Sequence, residues 1–277
     1  MAATPSPGIR WTIGDVSERG FEALRLSIWG AWRLFGPEAA YAVCVNSLPL
    51  SIARARTGDV PKAVAWYRCD HRIPSFLRAH LDSGLAEGVA WKLAPLRLFP
   101  HRFEISLDND CILWAMPTAI RRWLGGSSDR ICVIAEDVAL CFGRFAPLCG
   151  TAPRNTGIRG VPPGFDLEHA LKEVLAACPA QIVSELDEQG LQVAALSRVA
   201  APLVVSLDDV SICSPQPPHL QRLGTCGAHF VGINVKGTRP YCDSAALDRI
   251  ARNWGVWKDD VYAAVGLSRQ ESSRLST

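Results

Sequence analysis

A chain of 277 residues is long enough to bury one sizeable core, and α/β domains commonly run past about 200 residues, so residues 1–277 read as a single domain. Hydrophobic residues at 48% and charged residues at 20% are the proportions of a globular protein. With 29 Lys plus Arg against 27 Asp plus Glu, the formal charge is only +2, and no basic excess points to a nucleic-acid partner.

Residues 1–7 carry no basic stretch followed by an apolar run, so no signal peptide is expected. Residues 9–13 predict a short strand ending at Gly14-Asp15. Phe21, Leu24, Ile28, Trp32 and Phe35 then recur at helical spacing as far as Gly36-Pro37. Buried strands are predicted at 41–45 and 63–67, separated by a short helical segment and the Thr57-Gly58-Asp59 turn. Alternating strands and helices predict a largely parallel sheet covered on both faces, with ligands outside the carboxyl ends of its strands.

Residues 102–107 form the next predicted strand, and a run of acids starts at its end, at Asp108. An amphipathic helix near 118–123 follows, then strands near 131–134 and 139–142. A Pro/Gly-rich stretch at 147–164 is expected to be exposed or ligand-facing. Helices are predicted at 166–177 and 184–196, strands near 203–205 and 228–233, and two helices joined near Gly255 over 245–264. The apolar stretch 191–207 is broken by Arg198 and Pro202, and no run approaches the roughly 18 apolar residues of a membrane helix. The ten cysteines contain no C-x-x-C pair, which favours reduced thiols and a cytoplasmic protein, and six scattered histidines make no compact zinc motif.

Asp108-Asn109-Asp110 places two carboxylates on a short turn with apolar strand on either side. Oxygen donors at i and i+2 can converge on one Mg²⁺ or Mn²⁺ that bridges the phosphates of a nucleotide. Asp and Asn are also ordinary turn residues, so the tripeptide by itself is a weak signal. His229, in Gly227-Ala228-His229-Phe230-Val231-Gly232, can complete such a site; Gly232 lets backbone approach a phosphate and Lys236 adds positive charge. Asn155 and Gly157 open a strand-like segment where a side-chain amide can meet sugar hydroxyls, or mark a plain turn. Asp187-Glu188-Gln189 falls in a predicted helix and is read either as an exposed polar face or as a donor or acceptor contact. Lys92 precedes the acidic motif and is either solvated or within reach of nucleotide; Asp15 either meets the nucleotide or caps the next helix. Glu136-Asp137 is a reserve acidic pair for acceptor binding or base chemistry.

Taken in order, these segments resemble the GT-A glycosyltransferases, particularly the retaining family that includes glycogenin and bacterial lipopolysaccharide galactosyltransferases. The matching stretches are residues 13–15, 108–110, 155–157 and 187–189, and His229 to Gly232 with Lys236. Thr156 stands where that family usually has Ser, Asp-Glu-Gln replaces Asp-Gln-Asp, and Arg239-Pro240-Tyr241 is only loosely similar to Lys-Pro-Trp, which fits a divergent bacterial branch. The resemblance implies one GT-A domain with a Rossmann-like, mostly parallel sheet, residues 1–110 forming its nucleotide-binding part and 111–277 its acceptor and donor-sugar part. It implies a metal-dependent hexosyltransferase in which Asp108, Asp110 and His229 bind Mn²⁺ or Mg²⁺. Asp15, Lys92, Asn155, Gly157, Gly232 and Lys236 would contact the nucleotide-diphosphate sugar, and Asp187, Glu188 and Gln189 would supply the catalytic segment. The acceptor would be a carbohydrate, lipid-linked or protein molecule, with peripheral membrane contact open. Two rivals remain: a sugar-1-phosphate nucleotidyltransferase, for which Gly14-Asp15-Val16-Ser17 lacks a Gly-rich phosphate loop, and a non-catalytic domain that binds a nucleotide sugar or a partner.

Overall fold

The computed structural model describes residues 6–70, 72–81, 90–126, 129–238 and 242–268. Its centre is a seven-stranded sheet in the order β3-β2-β1-β4-β7-β6-β8, formed by β1 (Gly8–Ile13), β2 (Ala40–Val45), β3 (Val64–Arg68), β4 (Glu104–Asp108), β6 (Val133–Glu136), β7 (Arg154–Val161) and β8 (Leu203–Val205). β1 pairs in parallel with β2 and β4, β2 with β3, and β6 with β8, whereas β7 runs antiparallel to both of its neighbours. A smaller sheet, ordered β5-β10-β9, joins β5 (Cys111–Leu113), β9 (Val210–Ile212) and β10 (Gly227–His229).

The pleat sends successive side chains to opposite faces, and both faces are packed. Val133 and Ala135 of β6 join the cluster that Phe21, Leu24 and Ile28 of α1 (Glu18–Phe35) and Ile120 and Trp123 of α4 (Thr118–Leu124) build with Ile9, Trp11 and Ile13. Ile134, between them, joins the opposite cluster, with Leu171 and Val174 of α5 (Leu167–Ala177) and Leu191 and Ala195 of α6 (Glu185–Leu196). Helix α1 starts at Ser17, whose Oγ accepts from the Gly20 amide, and stops at Gly36, where φ is 72°. Two short helices, α2 (Leu50–Thr57) and α3 (Ser75–Arg78), fill the connections near the β3 edge. Among the described residues, no helix is long and apolar enough to cross a membrane.

Four expectations are corrected. Residues 139–142 form no strand: β6 already has β7 and β8 on its two sides, and the chain leaves the sheet to enter a 3-10 turn at Gly143–Leu148 with φ 48° at Gly143. The Pro/Gly-rich stretch 147–164 divides in two: residues 147–154 are exposed or half-buried, as expected, whereas β7 lies between β4 and β6 and is buried from Asn155 to Val161. Its glycines serve close packing: a Cβ on Gly160 would lie 2.8 Å from the Val133 side chain. The C-terminal segment is one helix, α7 (Ser244–Val265), rather than two. Gly255 costs such a helix about 1 kcal/mol, but Ile250, Trp254, Val261, Tyr262 and Val265 bury a continuous face around it. Finally, the strand expected at 228–233 ends at His229 and gives way to a turn.

Candidate active site

The acidic motif sits where the two sheets meet. Asp108 is the last residue of β4, in register with Thr12 of β1, and the chain turns through Asn109 and Asp110 directly into β5. β5 pairs with β10 so that Cys111 lies opposite His229, and the Phe230 amide donates to the Asp110 carbonyl at 2.9 Å. That register brings His229 Nε2 to 3.2 Å from Asp110 Oδ1 and 3.7 Å from Asp108 Oδ2. One donor atom from each of the three lies within 4.8 Å of the others. Two carboxylates and an imidazole, convergent and mostly buried, are a donor set suited to Mn²⁺ or Mg²⁺. Burial opposes a charge on His229, but Asp110 and then Asp108 outweigh it and hold the imidazole above its ordinary pKa. Burial likewise opposes ionisation of Asp108, yet Lys92 and His229 hold its carboxyl below the usual range.

Neighbouring groups fix this triad. Asn234 Nδ2 donates to Asp110 Oδ2 at 2.9 Å and to Asn109 Oδ1 at 3.1 Å, while Asn109 Nδ2 donates to Asn234 Oδ1 at 2.6 Å and to the Gly20 carbonyl at 3.1 Å. Gly157 lies one residue past the Leu107–Ile158 pair of β4 and β7. A Cβ there would stand 2.5 Å from His229 Cε1, so glycine is what lets the imidazole occupy its place.

A charged cluster adjoins the triad. Lys92, in a 3-10 turn at Ala90–Leu93, donates from Nζ to Asp108 Oδ2 at 2.7 Å and lies 3.9 Å from Glu188 Oε2. Its carbonyl accepts from the buried guanidinium groups of Arg10 at 2.7 Å and Arg159 at 3.2 Å. Burial works against the Lys92 charge, but Asp108 and Glu188 raise its pKa overall. Burial also lowers the Arg159 guanidinium to about 10, helped by repulsion from Arg10. Glu188, in the first turn of α6, is pushed up to about 7 by burial, against the pull of Lys92 and Arg159. Its Oε1 is buried and has no hydrogen-bond partner among the described residues.

The other predicted residues divide into groups. Asp187 accepts from the backbone amides of Arg144 at 2.8 Å and Val183 at 2.9 Å, so its carboxylate anchors chain rather than facing the cluster. Gln189 donates to the Cys141 carbonyl at 2.9 Å and to Asp137 Oδ2 at 3.4 Å, and accepts from the Thr156 amide at 3.4 Å. Asn155 shares Asp137 with it, donating to Oδ2 at 3.3 Å, and accepts from the Gly157 amide at 2.6 Å. Asp15 and Lys236 form a pair of their own at 2.7 Å, half-exposed, with Arg56 also 2.7 Å from Asp15. Gly232 holds φ 93° in the turn after β10, so a side chain there would be strained. The turn joins the two neighbourhoods: its Asn234 meets Asp110, and its Ile233 and Asn234 carbonyls accept from Ser17, next to the Asp15 loop. Residues 239–241 lie outside the described residues.

Sequence reading passed over Asn234 and Arg159. Arg159 did carry a signal: an arginine amid the buried residues of a strand requires something charged or polar beside it. Asn234 carried none, since its partners come from the other side of the chain.

No protein-family model matches this sequence, and no curated protein does. Solved structures match at the level of fold. The bifunctional glycosyltransferase WbbM, in its apo structure, is 14% identical with a TM-score of 0.52, covering 95% of this chain and 52% of that one, so the chain spans about half of WbbM's length. The galactosyltransferase LgtC, in complex with donor and acceptor sugar analogs, is 12% identical with a TM-score of 0.49, covering 91% of this chain and 99% of that one. Mouse xyloside xylosyltransferase 1, apo, is 12% identical with a TM-score of 0.47, covering 73% of this chain and 86% of that one.

Proposed function

We propose, from the premise that this chain has the GT-A fold, that it transfers a sugar from a nucleoside-diphosphate donor to an acceptor hydroxyl. The observation that carries the proposal is the convergence of Asp108, Asp110 and His229 at the carboxyl end of β4, where an α/β sheet presents its ligand crevice. These three side chains would hold Mn²⁺ or Mg²⁺, which when bound neutralises charge on a departing diphosphate. Asn234 orients Asp110 for that task, and Gly157 leaves room for His229.

The remaining residues would position the donor. Lys92 and Arg159 bring two positive charges to the inner wall, suited to the electron-rich end of the substrate. Asn155, Gly157 and Glu188 would line the neighbouring wall and offer hydrogen bonds to sugar hydroxyls, with Asp187 and Gln189 supporting it through their own bonds to the chain. Asp15, Gly232 and Lys236 lie on the loops beside the triad and would meet the nucleotide and its phosphates. The buried triad limits access of water, which would otherwise compete with the acceptor.

The test is thermal unfolding with UDP, GDP, CDP, ADP or dTDP, with and without Mn²⁺, on wild type and Asp110→Ala. One nucleoside diphosphate is expected to stabilise the wild type only with metal, by about 2.7 kcal/mol at one hundred times its dissociation constant, and not to stabilise the variant. No metal-linked shift with any of the five would make the acidic motif an ordinary turn and remove the transferase reading.

A further inference from the structure

We infer that the cavity at the β3 edge of the large sheet is a second binding site, separate from the metal triad, for a pyranose that carries an anionic group. The cavity encloses about 280 Å³ between the end of α2 and the first half of β3. That volume is just under the roughly 300–1,000 Å³ of sites for drug-sized ligands, so it admits one ring with its substituents. Trp66 is in register with Val43 of β2, Val43 with Trp11 of β1, and Trp11 with Leu107 of β4. Three strand spacings, roughly 14 Å, therefore separate the cavity from β4, and it lies along the middle of the strands rather than at the carboxyl end where Asp108 stands.

Its floor is apolar and its rim is charged. Pro61, Val64 and Trp66 line the floor, all buried, while Arg54, Asp59 and Lys62 stand exposed at the rim. The loop between α2 and β3 is fixed in place: Trp29 Nε1 donates to the Asp59 carbonyl at 3.0 Å, and the Val64 amide donates to the Pro61 carbonyl at 3.0 Å. The Arg54 guanidinium lies 5.7 Å from the centroid of the Trp66 ring, an attraction that holds a positive charge over the indole. Arg56, on the same helix, is held by Asp15 and Glu18 at 2.7 Å each. Among the described residues, by contrast, no carboxylate pairs with Arg54 or Lys62, and the Asp59 carboxylate has no hydrogen-bond or ion-pair partner.

These groups select a ligand by its chemistry. An indole beside two aliphatic side chains suits the C–H face of a sugar ring. Arg54 and Lys62 supply charge-assisted hydrogen bonds to a carboxylate or phosphate substituent. Asp59 accepts from ring hydroxyls and repels an anion that has none, so a simple aromatic acid fits less well. Uronates and sugar phosphates share the required features. The role of the site, though not the binding itself, rests on the transferase reading: its occupant is an acidic residue of the acceptor glycan, anchored at a distance from the residue that receives the sugar.

The experiment is a ligand-observed NMR titration of the full chain with D-glucuronate, glucose 6-phosphate, glucose and benzoate, without metal or nucleotide. At least one of the two anionic sugars is expected to bind about tenfold or more tighter than glucose and benzoate, the tighter of the two identifying the substituent. Arg54→Gln combined with Lys62→Gln is expected to weaken that binding by about tenfold or more while leaving the thermal midpoint and the metal-linked nucleotide shift unchanged. Asp110→Ala is expected to bind the sugar as wild type does. Raising the ionic strength from about 0.01 to about 0.15 M, which shortens the screening length from about 30 to about 8 Å, should weaken binding in wild type. No binding of either anionic sugar, equal binding of glucose or benzoate, undiminished binding in the double variant, or loss of binding in Asp110→Ala would each overturn the site and leave the transferase reading standing. Sugar binding without any metal-linked nucleotide shift would keep the site and remove its acceptor role.

Discussion

Gly157 shows how much of the site depends on a missing side chain. Asp108 and His229 come from different sheets, and the imidazole reaches its place only across the backbone of β7, where a Cβ would stand 2.5 Å from His229 Cε1 and 2.6 Å from Nδ1. Gly157→Ala is therefore expected to push the ring away from Asp110 while leaving the strand's backbone pairing intact. Metal affinity, followed by Mn²⁺ titration, should fall about 10- to 100-fold, the range typical of disturbed groups around metal ligands. Near-wild-type affinity would mean that the ring relaxes without loss or that His229 is not a ligand.

Helix α6 is held to the 3-10 turn at Gly143–Leu148 by contacts that leave no space. A Cβ on Gly190 would lie 2.1 Å from the Phe142 carbonyl oxygen, and one on Gly143 would lie 2.2 Å from Asp187 Oδ1. Ser184 caps the helix, and Asp187 ties its first turn to the Arg144 and Val183 amides. Asp187 thus belongs to the support of the segment, while Glu188 faces Lys92 at 3.9 Å. Asp187→Ala leaves two partly buried amides without their acceptor, at a cost of about 2 kcal/mol. Thermal unfolding of that variant should fall by roughly 4–8 °C. An unchanged midpoint would show that water or another side chain satisfies those amides.

At the scale of the whole chain, α7 is fastened across α1 by one carboxylate. Glu22 accepts from Trp254 Nε1 at 3.0 Å and Tyr262 Oη at 2.8 Å, and pairs with Lys258 at 2.7 Å, above the apolar cluster of Leu26, Trp254, Val261 and Tyr262. Burial opposes its charge, but these three partners outweigh burial and hold the carboxyl below its ordinary pKa. A carboxylate lowered on folding stabilises fully above the unfolded-state pKa and loses that stabilisation as pH falls through the folded one. Wild type should therefore lose more stability than Glu22→Gln between about pH 7 and pH 3. Hydrogen exchange over residues 244–265 is the check: equal acid sensitivity in both proteins would show that Glu22 is not the fastening.

Local pattern was enough for much of the architecture. Apolar runs at 9–13 and 41–45 and the helical spacing of Phe21, Leu24 and Ile28 stand in the structure as β1, β2 and α1, because each element's periodicity matches the side it buries. The acidic motif was legible because a strand that ends in acids exposes them at the sheet's ligand edge. What the linear pattern missed were pairings between distant segments. A strand-like segment from Asn155 was legible, but its place between β4 and β6 was hidden in a stretch rich in Pro and Gly, whose glycines admit neighbouring chains rather than turn the backbone outward. Gly255 looked like a break between helices, although burial on both sides of it outweighs its weak propensity. The partnership of His229 with Asp110 spans more than a hundred residues and is set by β5–β10 register, as the orientation of Asp110 is set by Asn234. Residue types and local periodicity supplied the elements and candidate ligands. Only long-range register and packing decided which carboxylates face one another, which anchor backbone amides, and which oxygen is left free.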